Sequence, residues 1–181
     1  GRFSVRMKLH AGQGTWPAFW MLPSEPVYGT WPLSGEIDIM ESVNLDTPCT
    51  DCQHEYETRT SGALHFGDRI PDNTYFFMKA DESEYNGPDD EWRVYSVEWS
   101  EDTIQWFVDD QIFMRLNADQ WYTESAEAEG RSFAPFDQPF YLMINLAVGG
   151  NLPEKSNGAG FDPSSFPAEL LVDWVKVEQC E

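Results

Sequence analysis

Three carboxylates with unusual spacing stand close together in the chain: Glu36, Asp38 and Glu41. Branched apolar residues separate them, whereas a solvated acidic run would have no reason to alternate in this way. Alternation with a period of two predicts a β-strand, because successive strand side chains point to opposite faces. Glu36 and Asp38 then share one face, and Ile37 and Ile39 share the other.

The position of Glu41 decides what this strand could do. Glu41 lies five positions after Glu36, so a regular strand would turn it toward the apolar face. One extra residue, a β-bulge, restores the parity and brings Glu41 back beside Glu36. Retaining glycoside hydrolysis needs two carboxyl groups at roughly 5–5.5 Å, one as nucleophile and one as general acid/base. The spacing therefore predicts two glutamates that act on a glycosidic bond, with Asp38 between them.

Strand patterns dominate the rest of the chain. The predicted strands cover residues 2–10, 16–21, 93–99, 103–108, 111–116, 140–148 and 170–177. Asp109 and Asp110 predict a tight hairpin turn between two of them. Many short strands of this kind predict an all-β sandwich or jelly roll.

The segments between the strands give weaker predictions. Residues 140–148 are nearly continuously apolar, which predicts a strand buried on both faces. The polar stretch 117–130 could hold a short helix. Residues 68–90 and 151–167 are rich in Gly, Pro, Asn and Asp and predict long loops.

Length and charge limit the class of protein. The chain has 181 residues, 41% of them hydrophobic, which suffices for one domain with a sizeable core. We expect a single domain over residues 1–181 that lacks its N-terminal part, because strand-like alternation starts at once and no Met opens the chain. The net charge of −21 would repel nucleic acid and sulfated polymers. We expect a neutral polymer as the partner, no membrane span, and a monomer.

The three cysteines leave their chemistry open. Cys49 and Cys52 lie in a polar stretch that reads as a loop, and whether they form a local disulfide depends on the compartment. A redox-active pair is not favoured, because no βαβ pattern surrounds them. A metal site that includes His54 would have too few ligands. Cys180 is left over, either free or paired outside this segment.

Six stretches of the chain carry a family resemblance. They are WPAFWMLP (16–23), WPLSGEIDIME (31–41), GALHFG (62–67), IQWFVDD (104–110), PFYLMINLAVGG (139–150) and VDWVKV (172–177). Together, and in this order, they resemble glycoside hydrolase family 16, and within it the laminarinase-like endo-β-1,3-glucanases. The resemblance implies a jelly-roll (concanavalin A-like) β-sandwich with an open substrate cleft on its concave sheet. It also implies strands before residue 1, a secreted protein and no required cofactor.

The resemblance assigns roles to the three carboxylates. It implies that Glu36 is the nucleophile, that Glu41 is the general acid/base, and that Asp38 hydrogen-bonds and orients Glu36. This division requires Glu36 to be ionised while Glu41 is protonated. We expect the negative charge of Glu36 to raise the proton affinity of Glu41 and so separate the two roles.

Tryptophans are the best candidates for sugar contacts. Trp20 and Trp31 are predicted sugar platforms, because flat aromatic faces suit the apolar faces of pyranose rings. Trp16 shares a face with Trp20, so it could be a platform or part of the core. Core packing is the better interpretation of four others: Trp92, Trp99, Trp106 and Trp174.

Four further residues match positions that the family uses. His65 would lie near the catalytic carboxylates, the alternative being a core histidine. Arg6 and Asn145 match glycan-contacting positions; a solvent-facing charge and a buried amide that ties strands together are the alternatives. Asp173 matches a calcium ligand, although calcium prefers six to eight oxygens and a surface aspartate fits equally well.

Three functions remain possible at this level. The first is a secreted retaining endo-glucanase that hydrolyses internal bonds of a β-1,3-glucan such as laminarin. The second is a non-catalytic β-glucan-binding protein on the same fold, in which the glutamates are commonly lost. The third is a family 16 hydrolase of mixed-linkage glucan or a galactan. The bulged spacing disfavours the bacterial lichenase pattern, and the acidic charge disfavours sulfated galactans.

Overall fold

The computed structural model describes residues 1–53, 55–80 and 91–179. The predictions for His54 and Cys180 lie outside the described residues. Within these ranges the chain forms ten strands and one α-helix. They are β1 (Arg2–Lys8), β2 (Thr15–Pro23), β3 (Glu36–Glu41), β4 (Ser61–Gly67), β5 (Asn73–Lys79), β6 (Arg93–Trp99), β7 (Thr103–Val108), β8 (Gln111–Asn117), β9 (Phe140–Val148), α1 (Asn151–Asn157) and β10 (Leu171–Glu178).

Two five-stranded antiparallel sheets pack face to face. The front sheet has the order β5-β4-β3-β2-β9, and the back sheet has the order β10-β1-β6-β7-β8. Val5 and Met7 of the back sheet join Phe19, Ile37 and Leu64 of the front sheet in one buried cluster. Each such side chain stabilises the fold by about 1.5–3 kcal/mol through its removal from water. The predicted all-β sandwich is confirmed.

Two predicted loops contain regular structure. Residues 68–90 include β5, which pairs antiparallel with β4. Residues 151–167 begin with α1, which ends at Gly158 in the left-handed conformation. The predicted short helix within 117–130 is two single 3₁₀ turns, Ala118–Gln120 and Ala126–Ala128. None of the helices in the described ranges has the length and apolar character needed to cross a membrane.

Strand β9 differs from its prediction. It is not buried on both faces: within the described part of the chain it is the edge strand of the front sheet, and Ile144 and Val148 are 39% and 57% exposed. An apolar run alone cannot distinguish a central strand from an edge strand. The hairpin turn is confirmed, because Asp109 and Asp110 both have positive φ between β7 and β8.

The tryptophans expected in the core divide into three groups. Trp106 is fully buried, and Trp99 is partly buried against the core cluster. Trp92 and Trp174 are 39% and 36% exposed, so the prediction of core packing is wrong for these two. Their aromatic character could not reveal which face of the back sheet they occupy.

The predicted bulge is present in β3. Against β2, Trp20 is opposite Asp38, but the preceding residue Phe19 is opposite Met40. The pairing with β4 also shifts between Asp38 and Glu41. The extra residue bends the strand so that Glu36, Asp38 and Glu41 all leave the front sheet on the side away from the core.

Trp106 supports the bulge from the core side. Its indole N–H donates to the backbone carbonyl oxygen of Asp38 at 2.8 Å, where the ladder register breaks. Gly62 of β4 makes room for the indole, since an added Cβ would lie 2.5 Å from Trp106 Cδ1. Gly35, with φ of 84°, starts the strand where a Cβ would meet Phe136 at 2.6 Å. Core residues that never touch the acidic face therefore fix its geometry.

We expect Trp106→Phe to move the bulge, with Trp121→Phe as the matched control. Trp121 is also buried and also donates to a backbone carbonyl, that of Phe133. Each substitution should lower the free energy of unfolding in urea by about 1–3 kcal/mol through one lost hydrogen bond and lost packing. Only Trp106→Phe should shift the backbone amide NMR signals of residues 38–41. Unchanged signals there would show that the bulge does not depend on Trp106.

Candidate active site

The three carboxylates line a single pocket on the open side of the front sheet. The pocket has a volume of about 250 Å³. Its lining consists of Trp16, Ala18, Trp20, Glu36, Asp38, Glu41, Asn145 and Ala147. The bulge thus brings Glu41 to the face of Glu36, as its spacing predicts.

A ring nitrogen lies beside each of the three carboxylates. Trp31 Nε1 donates to Glu36 at 2.6 Å, and Trp16 Nε1 donates to Glu41 at 2.7 Å. His65 Nε2 lies 3.2 Å from Asp38 Oδ2 and 3.9 Å from Glu36 Oε1. Polar partners of this kind are necessary, because the Glu36 and Asp38 side chains are only 15% and 6% exposed.

His65 is fixed by aromatic neighbours. Its ring stacks on Tyr75 with centroids 5.6 Å apart and meets the Trp31 ring at 5.8 Å. Its Nδ1 is buried and has no hydrogen-bond partner among the described residues, so a proton at that atom would be unpaired. Nε2 is therefore the nitrogen that carries the proton of the neutral ring, and it faces Asp38. The alternative of a core histidine does not fit this position.

Burial raises the pKa values of all three carboxyl groups. Burial and then the charge of Asp38 raise the pKa of Glu36 from 4.5 to about 8. Burial and then the charge of Glu41 raise the pKa of Asp38 well above its ordinary value. For Glu41 the pKa is also raised, and burial is the largest cause. The sequence analysis expected the charge of Glu36 to have that effect on Glu41, but desolvation dominates because the whole face is enclosed.

Glu36 and Asp38 interact through their carboxyl groups. The hydrogen bond between their carboxyl groups raises the pKa of Glu36 and lowers that of Asp38. Two carboxylates held this closely cannot both ionise at neutral pH without a large electrostatic penalty.

The tryptophans extend the pocket into a groove. Trp20 and Glu36 also line a second cavity of about 490 Å³, which contains Trp31 and Tyr141. Trp31 is 41% exposed, so its ring face is open to a ligand. Trp16 lines the carboxylate pocket, so it is not part of the core, and its role as a sugar platform stays a prediction. The sequence analysis missed Tyr141, although it lies four residues before Asn145 and so shares its strand face.

Asn145 lies at the carboxylate pocket, whereas Arg6 does not. Asn145 lines the pocket, and its side-chain oxygen accepts the indole N–H of Trp20 at 2.7 Å. Arg6 lies on β1 in the back sheet, on the face opposite Val5 and Met7. The sequence analysis expected Arg6 to contact the glycan, but the structure does not bring it to the carboxylate pocket. Strand parity correctly turned it away from the core but could not tell which sheet it belongs to.

Asp173 lies on β10, and its role as a calcium ligand stays a prediction. Its carboxylate pairs with the Arg6 guanidinium at 2.5 Å, and that cation occupies the position next to it. The groups of described residues that could hold a metal ion do not include Asp173. One of them contains Cys49 and Cys52, which form a disulfide, and the other is Glu36, Asp38 and His65 of the pocket.

Comparison with known proteins agrees with this geometry. The model of the glycosyl hydrolases family 16 matches residues 1–176. The chain belongs to glycoside hydrolase family 16. Family 16 hydrolases need no cofactor.

Several named relatives of this family 16 chain are glucanases. It is 41% identical over 182 residues to glucan endo-1,3-beta-glucosidase A1 of Niallia circulans, covering 98% of this chain and 24% of that protein. It is 38% identical to a beta-glucanase of Rhodothermus marinus, covering 98% and 56%. The laminarinase structure from Rhodothermus marinus matches with a TM-score of 0.73 and 34% identity, covering 97% and 63%. The chain thus spans less than two thirds of the length of these relatives.

The raised pKa of Glu36 predicts a pH-dependent stability. Folded Glu36 holds its proton between pH 4.5 and about pH 8, where the unfolded chain has lost it, so stability falls as pH rises through this window. Glu36→Gln keeps the shape and removes this loss. Relative to wild type, the variant should gain about 2–4 kcal/mol of unfolding free energy across the window.

Urea denaturation below and above this pH window measures the gain. Glu129→Gln, at an exposed position, controls for the removal of one negative charge. A gain for Glu36→Gln that is the same at both ends of the window would contradict the raised pKa.

Proposed function

We propose that this chain is the catalytic part of a retaining endo-β-1,3-glucanase that acts on laminarin-type glucans. The observation that carries the proposal is the face of β3, where the bulge gathers Glu36, Asp38 and Glu41 in one pocket. Family 16 membership and the names of the relatives support the substrate class. The adjoining groove with Trp20, Trp31 and Tyr141 supports binding of a polymer rather than a single sugar.

The first step forms a glycosyl-enzyme. A carboxylate oxygen of Glu36 attacks the anomeric carbon, the bond from that carbon to the glycosidic oxygen breaks, and Glu41 protonates the departing oxygen. In the second step Glu41 takes a proton from water, whose oxygen attacks the same carbon and releases Glu36. Two inversions at one carbon retain the β-configuration.

Asp38 positions the nucleophile through the hydrogen bond between its carboxyl group and that of Glu36. Glu36 must be ionised to attack, and burial together with the charge of Asp38 raises its pKa to about 8, so the ionised share of Glu36 grows as pH rises toward that value. Positive charge that develops at the anomeric carbon stabilises the carboxylate form of Glu36.

The remaining expectations are proposals about the whole protein. The disulfide between Cys49 and Cys52 supports a secreted protein, because disulfides persist in oxidising compartments. The acidic surface supports a neutral polysaccharide as the partner. We further propose that the protein acts as a monomer, since one chain supplies every group of the pocket.

The direct test is laminarin hydrolysis, which is measured by the release of reducing ends. Wild type should release oligosaccharides from laminarin, and Glu36→Gln should have no detectable activity because it lacks the nucleophile. Glu41→Gln should lose about 10²–10⁴-fold in kcat/KM, the usual contribution of general acid/base catalysis. Glu129→Gln, which removes a carboxylate outside the pocket, should match wild type. Equal release by wild type and Glu36→Gln would refute the assignment of the nucleophile.

Substrate comparison and product stereochemistry separate this proposal from its competitors. Mixed-linkage glucan and agarose should be cleaved more slowly than laminarin. The first products should be β-anomers by NMR, and α-anomers would refute double displacement. A protein that laminarin retards in affinity electrophoresis but that releases no sugar would be a β-glucan-binding protein. One relative with 38% identity, from Penaeus monodon, is named as a protein of this kind.

A further inference from the structure

Two tryptophans of the pocket contact the catalytic carboxylates through their indole N–H groups and not only through their ring faces. We propose that Trp16 and Trp31 are positioning residues, each of which orients one carboxylate and adjusts its proton affinity separately from the other. Trp16 acts on the acid/base Glu41, and Trp31 acts on the nucleophile Glu36. This inference rests on the proposed function of the pocket.

The two indoles reach the carboxylates from different parts of the chain. Trp16 lies on β2, the strand next to β3, and its donation to Glu41 Oε1 at 2.7 Å is partly buried. Trp31 belongs to the segment before β3, and its donation to Glu36 Oε2 at 2.6 Å is exposed. Because these contacts share no residue, one can be removed while the other remains in place.

The contact with Trp16 also selects an oxygen of the acid/base. Trp16 engages Oε1 of Glu41, so Oε2 remains for the proton that passes to the glycosidic oxygen. A carboxyl group without this contact could rotate and present either oxygen in several directions. Loss of the N–H should therefore lower kcat more than it raises KM, since proton transfer requires a defined geometry.

Each contact should move one pKa in a known direction. An N–H that donates to a carboxylate stabilises the ionised form and opposes the effect of burial, which raises the pKa of both glutamates. Removal of Trp31 N–H should raise the pKa of Glu36. Removal of Trp16 N–H should raise the pKa of Glu41.

Trp20 provides a matched control within the same pocket. It lines the pocket beside the carboxylates, but its N–H donates to Asn145 at 2.7 Å and not to a glutamate. Trp20→Phe removes an indole and its hydrogen bond from the sugar-binding surface, as the other two substitutions do. It should weaken substrate binding without moving the pKa of Glu36 or Glu41.

Carbon-13 NMR titration of the glutamate carboxyl groups tests the inference without any activity. Signals are assigned with Glu36→Gln and Glu41→Gln, and pKa values are followed in Trp16→Phe, Trp31→Phe and Trp20→Phe. We expect a rise of about one unit for Glu41 in Trp16→Phe only, and for Glu36 in Trp31→Phe only, the size of a charge-assisted hydrogen bond. No rise, or the same rise in Trp20→Phe, would overturn the proposal.

The pH dependence of kcat/KM on laminarin is the second readout. Glu36 must be ionised, so Trp31→Phe should move the acid limb to higher pH by about one unit. Glu41 must be protonated, so Trp16→Phe should move the alkaline limb to higher pH by about one unit. A merely structural role would lower the whole profile without moving either limb.

The two readouts distinguish a failure of the proposed function from a failure of this inference. If the wild type does not hydrolyse laminarin, the proposed function fails while the NMR titration still decides the role of the indoles. If a phenylalanine variant does not fold, benzothienylalanine at position 16 or 31 preserves the ring shape and lacks only the N–H donor. Unchanged glutamate pKa values in that protein would overturn the proposal.

Discussion

The active face depends on one backbone irregularity and on the hydrogen bond that accompanies it. Without the extra residue in β3, Glu41 would project into the core against Phe19 and Ile37, where an unpaired carboxylate is costly. The bulge breaks the ladder at Asp38, and Trp106 supplies a donor for its carbonyl oxygen from the buried side. Gly62 is required because only a residue without a side chain leaves space for that indole. The sandwich core thereby determines a distance between carboxylates that it never contacts.

Much of this arrangement follows from the sequence, and the limits have physical causes. The alternation of polar and apolar residues from Glu36 to Glu41 predicts the strand, and the spacing of the two glutamates predicts the bulge. Both can be predicted because the face to which a strand residue points depends only on its position in the local sequence. Which sheet a strand joins is not local, so Arg6 was expected at the pocket but lies in the other sheet. Burial depends on neighbours in space, so β9 and Trp174 were expected to be buried but are exposed. The ring contacts of Glu36 and Glu41 could not be predicted, since Trp16 and Trp31 approach through tertiary structure.

Enclosing three carboxyl groups in the pocket destabilises the folded protein. Three carboxyl groups with little exposure to water repel one another and lack hydration, and their raised pKa values express that cost. The sandwich tolerates the cost because the opposite faces of the same strands bury Ile37, Ile39 and Met40 completely or nearly so. One strand thus contributes to the core with one face and bears the destabilising charges of the site on the other.

The protonation states of the carboxyl groups connect this energetic cost to the chemistry. A retaining mechanism needs one protonated and one ionised glutamate at the same pH, and burial alone would protonate both. Asp38 hydrogen-bonds Glu36, and His65 faces both groups. The indole donors of Trp16 and Trp31 then act on the two glutamates individually. Burial raises every pKa in the pocket together, whereas the indole contacts and the charge of Asp38 differ between Glu36 and Glu41 and so can give them different affinities for a proton.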